Sequence, residues 1–581
     1  MNDSAYEGLK IDKIVPFTSF LSQCNPSSIF MADCTNEEIS NIINDLENNK
    51  ASDIPIKIIK STSQLISPIL SRHINYCMKH GIFPDQLKVG KITPVFKKGN
   101  TELLENYRPV STLPIFGKIL EKVIYERLFN FLISQRQMNH QQFGFRKGHS
   151  TSHALNFTID HINTCISNKK HTLAIFIDLS KAFDTIDHKI LLHKLWHYGI
   201  RGNVHKLLDS YLSNRTQFTH SLDTDSDRAP VIFGVPQGSV LGPLLFLIYI
   251  NDLLRCSDLA TFVLFADDTN IFVSGKTYSE AVNNANIILD AVSNYMLSNK
   301  LHINMSKSCY MHFCPKGAKI DNETNHGTPP IKINGTEIAE VNETKFLGVI
   351  IDNQLSWKPH INALIKKLKC CTGQLNRIKK FIPPSLYKTL YHTLLESHLA
   401  YGITIWGGLS YNKLKPIFTS QKHCIRILFG DKDAYLEKFR TSVRTRPIES
   451  QALGQEFYER EHTKPLFNGN DIMTVHNLYK YHTLISIYKI MKFRIPISLF
   501  SCFTLSKNNA TRFVLPMYSN NFVYNASSLW NVFSTSVDGP KILDFAGKMG
   551  YMKSKIKEFI LRRQRVGDEL EWDSETNFNL R

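Results

Sequence analysis

The chain is poor in the features that staple, anchor or export a protein. Its eleven cysteines are odd in number and include no CxxC pair, which excludes a disulfide scaffold and suits reduced thiols in a reducing compartment. No apolar run exceeds 11 residues (240–250), against the ~20 that a membrane-crossing helix needs. The first ten residues are polar and lack the basic-then-apolar order of a signal peptide. The expected location is therefore intracellular, nuclear or cytoplasmic, with no membrane partner. There is no internal repeat, and acidic residues are absent from 86–101 and again from 353–395.

What is abundant is positive charge. Lys and Arg outnumber Asp and Glu by 69 to 51, a formal net charge of +18, which points to a polyanionic partner, nucleic acid ahead of an anionic membrane surface. With 43% hydrophobic and 21% charged residues the composition is globular and excludes wholesale disorder, collagen and coiled coil. A length of 581 residues predicts three or four structural units.

Ile39, Ile42, Ile43 and Leu46 fall at i, i+3, i+4 and i+7 and predict an amphipathic helix over 37–46, capped by Thr35 or Asn36. A second helical stretch, 63–78, stops near Gly81. Lys88, Lys91, Lys97 and Lys98 surround a short β-like segment, 92–96. The apolar run 173–177 ends at Asp178 and reads as a buried strand. A second run, 262–266, ends in Asp267-Asp268 and resumes at 271–273, which places the acidic pair at the tip of a hairpin. Between the two runs lies a helical region, 190–212. Residues 315–330 are polar and rich in Gly, Asn and Pro, a linker signal. Asn334-Gly335 then predicts a type I′ hairpin. Ile361, Leu364, Ile365 and Leu368 keep helical spacing inside the acid-free stretch, where Lys358, Lys366, Lys367, Lys369, Arg377, Lys379, Lys380 and Lys388 are all basic. A merely solvated face would mix signs, so this face is read as tracking phosphates. Further helices are expected near 475–491 and 549–562.

Two buried strands that deliver carboxylates to one edge meet the demand of a two-metal phosphoryl-transfer site, in which Mg²⁺ ions about 4 Å apart share rigid oxygen ligands. Asp178, Asp267 and Asp268 satisfy it, although each acid taken alone could be a turn cap or a solvated tip. Gly234, Gly238 and Gly242 in the loop between them would let the backbone approach a ligand and enter a helix whose N-terminus faces anions. The competing explanation, a tight turn into the buried helix 244–254, leaves Gln237 unexplained. Cys309, His312 and Cys314 raise a zinc question, but 311–313 reads as strand and no fourth ligand is in sight.

With these residues in view, the sequence resembles the reverse transcriptases of non-LTR (LINE-type) retrotransposons, particularly the jockey-like and chicken-repeat-like groups. The resemblance covers roughly 37–430 in ordered segments: Lys97-Lys98-Gly99, Asn106-Tyr107-Arg108-Pro109, Gln142-Phe143-Gly144-Phe145-Arg146, the Asp178 segment, Pro236-Gln237-Gly238, Phe265-Ala266-Asp267-Asp268, 304–307 and Phe346-Leu347-Gly348. It implies an α+β right-hand polymerase: an N-terminal helical extension (1–85), fingers (86–170), a palm with a primer-grip hairpin (171–355, with the inserted linker 315–330), a thumb (356–430) and a C-terminal extension of unassigned role (431–581). The implied reaction is RNA-templated DNA synthesis from an RNA template, a DNA primer and dNTPs, with two Mg²⁺ ions, or Mn²⁺, on Asp178, Asp267 and Asp268.

The same resemblance casts Lys98 and Arg108 as triphosphate cations and Phe183 as the bulky gate against a 2′-OH. Gln237 and Gly238 would lie by the incoming nucleotide, and Lys307 would protonate pyrophosphate. Phe183 could equally be core, and Lys307 an exposed strand-end lysine. Lys366, Lys367, Lys369, Arg377, Lys379 and Lys380 fall where a thumb would hold nucleic acid. Residues 49–55 lack the glycine that relatives place before Asp53, a departure confined to that loop. The segment ahead of the fingers is too short for the apurinic-type endonuclease of full elements, so an endonuclease is expected to act in trans. Neither a cysteine/histidine knuckle nor an RNase H acid set is legible after 430. An inert or co-opted remnant that binds RNA is the alternative, and an intron-encoded maturase a weaker third, because Trp406-Gly407 looks LINE-like.

Overall fold

Helix ends in this chain are set by local side-chain chemistry. Of the two candidate caps, Thr35 serves: its hydroxyl accepts from the Glu38 amide at 3.1 Å and opens the helix Asn36–Asn44. The helix Ser63–His80 ends at Gly81 in the left-handed region, φ +70°. The region 190–212, expected as one helical stretch, divides into His188–His197 and Gly202–Leu212. The break is Gly199, φ +95°, where a Cβ would lie 2.3 Å from the Ser27 carbonyl oxygen. Asp53 accepts from the Ile115 amide at 2.8 Å and so caps the helix Ile115–Ser134 from the loop that lacks the expected glycine.

The computed structural model describes residues 15–221, 224–315, 329–430, 463–506, 509–515, 522–535 and 549–566. Most of the expected linker 315–330, and part of the expected C-terminal extension, lie outside them. The chain is of the α+β class, as expected, and forms two compact units. The first comprises the described parts of Met1–Arg146, Leu173–Tyr310 and Asp321–Glu340. The second comprises those of Lys147–Thr172, Met311–Ile320 and Val341–Arg581.

Among the described residues, twelve strands precede residue 341: β1 (Val89–Phe96), β2 (Tyr107–Thr112), β3 (His171–Ile177), β4 (Arg215–Ser221), β5 (Thr224–Asp225), β6 (Ala229–Val231), β7 (Ala260–Phe265), β8 (Asp268–Gly275), β9 (Cys309–Phe313), β10 (Lys332–Ile333), β11 (Thr336–Glu337) and β12 (Ala339–Glu340). One sheet runs β2-β1-β4-β5 with β6 also on β4; β1 pairs antiparallel with β2 and parallel with β4. The other runs β12-β9-β3-β8-β7. The division between units falls within β3 and β9. β10 and β11 form the expected hairpin, with Asn334 at φ +50° and Gly335 at φ +75°.

The first unit's core centres on the helix Leu241–Ile250, the apolar run of the sequence, in which nine of ten residues are buried. A helix apolar all round must be covered on every side, and Ile115–Ser134 and His188–His197 both pack on it. Past its end, Lys194 and Asp252 form a fully buried ion pair at 2.8 Å, with the ammonium 4.9 Å from the Tyr249 ring centre. Desolvation offsets much of the attraction in such a pair, but removing one partner would leave the other charge buried and unpaired.

In the second unit, β13 (Glu343–Phe346) and β14 (Val349–Asp352) form a hairpin that turns at Leu347-Gly348, where the Tyr401 hydroxyl donates to the Leu347 carbonyl at 2.6 Å. The helix Lys358–Ile378 packs along Tyr411–Phe429, and Val475–Phe493 packs on both Phe522–Thr535 and Met549–Val566. Among the described residues no helix is long and apolar enough to cross a membrane.

Asp160, on the helix Thr151–Ser167, accepts from the amides of Phe522 and Val523. Burial, only partly offset by those two amides, pushes its carboxyl up to about 7. The folded state therefore favours the protonated form: the stabilisation is full below the ordinary carboxylate range and is lost as pH rises through about 7. The wild-type melting temperature, relative to that of Asp160→Asn, is expected to fall by several degrees between about pH 4 and pH 7.

Candidate active site

Asp178 leaves the end of β3 and is clamped by the segment ahead of β9. Its carbonyl accepts from the Asn304 amide at 2.8 Å, its amide donates to the Ser308 hydroxyl at 3.3 Å, and the Ser180 amide donates to the His302 carbonyl at 2.8 Å. Across the sheet β8 neighbours β3, and the β7–β8 register pairs Phe265 with Asp268. The turn is thus Ala266-Asp267, as the sequence pattern predicts, with Asp268 as the first residue of β8. Two adjoining strands bring the three acids within electrostatic reach of one another.

That proximity has a cost. Burial raises the Asp267 carboxyl, Asp178 adds to the rise, and the charges of Arg108 and Lys97 pull it back. Burial, then Asp267 and Asp178, push Asp268 up to about 6. Asp268 keeps an exposed face, and the like charges of Asp267 and Asp178 crowd it there. The Lys307 ammonium lies 3.3 Å from Asp178 Oδ2. Among the described residues no three acids, histidines or cysteines are gathered closely enough to hold a metal ion. The donor set nevertheless suits a hard divalent cation, which takes carboxylate oxygens and would relieve the repulsion that raises Asp268.

Arg108 lies on β2 opposite Val95 and is exposed. Lys98 is exposed as well, and the neighbouring Lys97, named in the sequence only within the basic segment and its motif and given no role there, is the lysine whose charge acts on Asp267. Phe183 is half-buried, stacked on Phe246 with ring centres 4.6 Å apart, and Phe145 meets it edge-on at 6.1 Å. Gln237 donates its amide to both carboxylate oxygens of Asp184, at 2.9 and 3.0 Å. Asp184 thereby fixes the Gln237 side chain.

The glycine loop differs from expectation. A Cβ on Gly234 would lie 2.7 Å from the Asp184 backbone, and one on Gly238 2.4 Å from the Ser111 carbonyl oxygen. These glycines therefore serve close contact with the protein's own backbone. The helix that follows does not face anions either. Buried Glu121 accepts from the amides of Val240 and Leu241 at 2.7 and 3.0 Å, and the Ser239 hydroxyl accepts from Gly242 at 2.9 Å. A carboxylate already satisfies the helix N-terminus.

The main element missed is the segment 139–146. Gln142 is buried, and its side-chain oxygen accepts from the amides of Gly144 and Ala266, at 2.9 and 3.0 Å. Its partner lies 124 residues away, so only its place within the quoted motif signalled a role. The strand expected over 311–313 is present as part of β9, and His312 there lies 3.0 Å from a ring nitrogen of His171.

In the second unit, Lys366, Lys367, Lys369 and Arg377 are exposed on the helix Lys358–Ile378, and Lys380 is exposed just beyond it. Lys379 is otherwise employed: its ammonium donates to the Ile427 carbonyl at 2.6 Å and sits over the Tyr387 ring at 5.5 Å. It therefore drops out of the set free to meet phosphate.

A β-strand and a β-hairpin present three acids, flanked by basic residues and a half-buried aromatic, the kind of donor set a phosphoryl-transfer site requires. Residues 95–351 match the family described as reverse transcriptase (RNA-dependent DNA polymerase). Similar proteins include the probable RNA-directed DNA polymerase from transposon X-element of Drosophila melanogaster, 28% identical over 68% of this chain and 44% of that protein. The corresponding protein from transposon BS of the same species is 28% identical over 61% of this chain and 40% of that protein. The RNA-directed DNA polymerase from its mobile element jockey is 26% identical over 75% of this chain and 49% of that protein. The chain thus spans less than half the length of these relatives. Among solved structures, apo telomerase from Candida tropicalis, truncated from the C-terminal domain, superposes with a TM-score of 0.33 and 12% identity over 49% of this chain and 58% of that one, too loosely to carry an argument. Residues 95–351 are thus similar to reverse transcriptase domains, and the chain is similar to the RNA-directed DNA polymerases of the X-element and jockey mobile elements.

Proposed function

We propose that the chain is an RNA-directed DNA polymerase of retrotransposon origin, acting inside the cell, in the nucleus or cytoplasm, on an RNA template, a DNA primer and dNTPs. The observation that carries this reading is the convergence of Asp178 and Asp267-Asp268 from neighbouring strands, with the charges of Arg108 and Lys97 reaching Asp267. In this reading the chain divides into the extension, fingers, palm and thumb set out from the sequence.

Asp178, Asp267 and Asp268 would hold Mg²⁺, with Mn²⁺ able to substitute. When bound, the metal acidifies the primer 3′-OH and neutralises charge on the leaving pyrophosphate. The chain's own residues do the rest. Arg108, with Lys97 and Lys98, binds the triphosphate, the guanidinium through paired hydrogen bonds. The Phe183 ring fills the space a 2′-OH would need, and Gln237, fixed by Asp184, lines the nucleotide beside Gly238. Lys307, next to Asp178, would give a proton to pyrophosphate. Lys366, Lys367, Lys369, Arg377 and Lys380 follow the phosphates of template and primer.

The helix makes a salt-dependent prediction. Replacing Lys366, Lys367 and Lys369 with Gln should weaken binding to all sequences alike and reduce the slope of log K against log salt by up to about 0.9 per lost contact on a duplex. Titration of a labelled duplex at several salt concentrations reads this. An unaltered slope would return these lysines to a solvated face.

A second reading, a co-opted RNA-binding protein without synthesis, draws on the absence of a gathered three-ligand cluster among the described residues. Extension of a DNA primer on an RNA template with Mg²⁺ and dNTPs separates the two. Product supports the polymerase, and tight RNA binding without product supports the remnant.

A further inference from the structure

The turn that carries Asp267 is strained. Ala266 has φ +57°, a left-handed conformation that L-residues with a Cβ avoid, and it is the first central residue of a two-residue hairpin turn. A positive φ at that position alone marks a type II′ turn, where glycine is preferred. Strain of this kind persists only when the surroundings over-determine it.

Those surroundings are the segment 139–146. Its backbone ladders onto β7, the Phe143 amide donating to Leu264 at 2.8 Å and the Leu264 amide donating to Gln141 at 2.9 Å. The Gln142 oxygen takes the Ala266 amide at 3.0 Å and the Gly144 amide at 2.9 Å together. Gly144 is pressed onto the same turn, so that a Cβ there would lie 2.2 Å from the Ala266 nitrogen. Buried Arg146 ties the segment to itself, donating to the carbonyls of Gln142, at 3.1 Å, and Asn139. The Asn139 amide in turn donates to Asn251 at 2.9 Å, at the end of the central helix. The segment is thus fixed at both ends, with one side-chain acceptor aimed at the strained turn.

We propose that Gln142 is a positioning residue that, with the close approach of Gly144, holds Ala266 in its left-handed conformation and so aims Asp267 at the reacting centre. This rests on the polymerase reading of the site, but the clamp itself does not. Removing the acceptor leaves a buried amide unpaired, and the turn then escapes to an unstrained geometry that points the carboxylate elsewhere.

Amide hydrogen exchange over 260–270, which needs no activity, is the first readout. Gln142→Leu should exchange there at least about tenfold faster than wild type, while Gln142→Glu, which keeps an acceptor, should stay close to wild type. Mn²⁺ affinity by calorimetry should fall several-fold in Gln142→Leu with the global melting temperature little changed. Primer extension should lose about 10- to 100-fold in kcat, with the KM for dNTP within about twofold. Gly144→Ala, which pushes the turn from the other side, should give the same pattern and carries the test if Gln142→Leu does not fold. Unchanged exchange over 260–270 in both variants would overturn the proposal. So would a loss of melting temperature with wild-type turnover below it. If wild type itself makes no product, the polymerase reading fails and the exchange data alone judge the clamp.

Discussion

Asp267→Ala is expected to abolish primer extension, by at least about 10³-fold, or roughly 4 kcal/mol of transition-state stabilisation, while RNA binding stays within about twofold. The effect is large because a two-metal site has few ligands and its electrostatics are the main contribution to rate. The fold should not suffer. Asp267 sits in a turn, and deleting its charge relieves the repulsion that helps push Asp268 up to about 6. Asp178→Ala should behave alike, since Asp178 raises both other acids from the neighbouring strand. Single-nucleotide extension beside RNA binding by filter retention gives both numbers. Retained extension in both variants would remove these acids from the chemistry.

Phe183→Ala is expected to reduce discrimination between dNTP and rNTP by about 100-fold or more, roughly 3 kcal/mol, if the ring excludes the 2′-OH by contact. A steric gate must be rigid, and this ring is held against Phe246 at 4.6 Å with Phe145 edge-on. The same packing gives the variant a stability cost of about 2 kcal/mol, below that of a fully buried Phe, so incorporation ratios belong well below its melting temperature. Loss of stability with an unchanged ratio would make the ring simply core.

The placement of the three acids was legible because their strands are written locally: an unbroken apolar run into Asp178, and a second into Asp267-Asp268 that resumes at once. The Thr35 cap and the Asn334-Gly335 turn were legible for the same reason, each being decided within four residues. Contacts between distant segments were not. Glu121 sits in mid-helix, and nothing nearby indicates that it caps a helix 119 residues later and closes the N-terminus that glycines and sequence suggested was open to anions. Gln142 is a buried amide whose partner lies across the fold. Lys97 and Lys98 are adjacent and chemically alike, and only the fold decides which charge reaches Asp267. Lys379 shows the converse: one basic run, one member of which is consumed by the Ile427 carbonyl.

The most direct measurement is extension of a labelled DNA primer annealed to an RNA template by the purified chain, with Mg²⁺ and dNTPs, run beside Asp178→Ala at matched RNA occupancy. The expected result is template-length DNA from the wild type and none from the variant. RNA bound equally by both, with no extension by either, would contradict the assignment of polymerase activity to this chain.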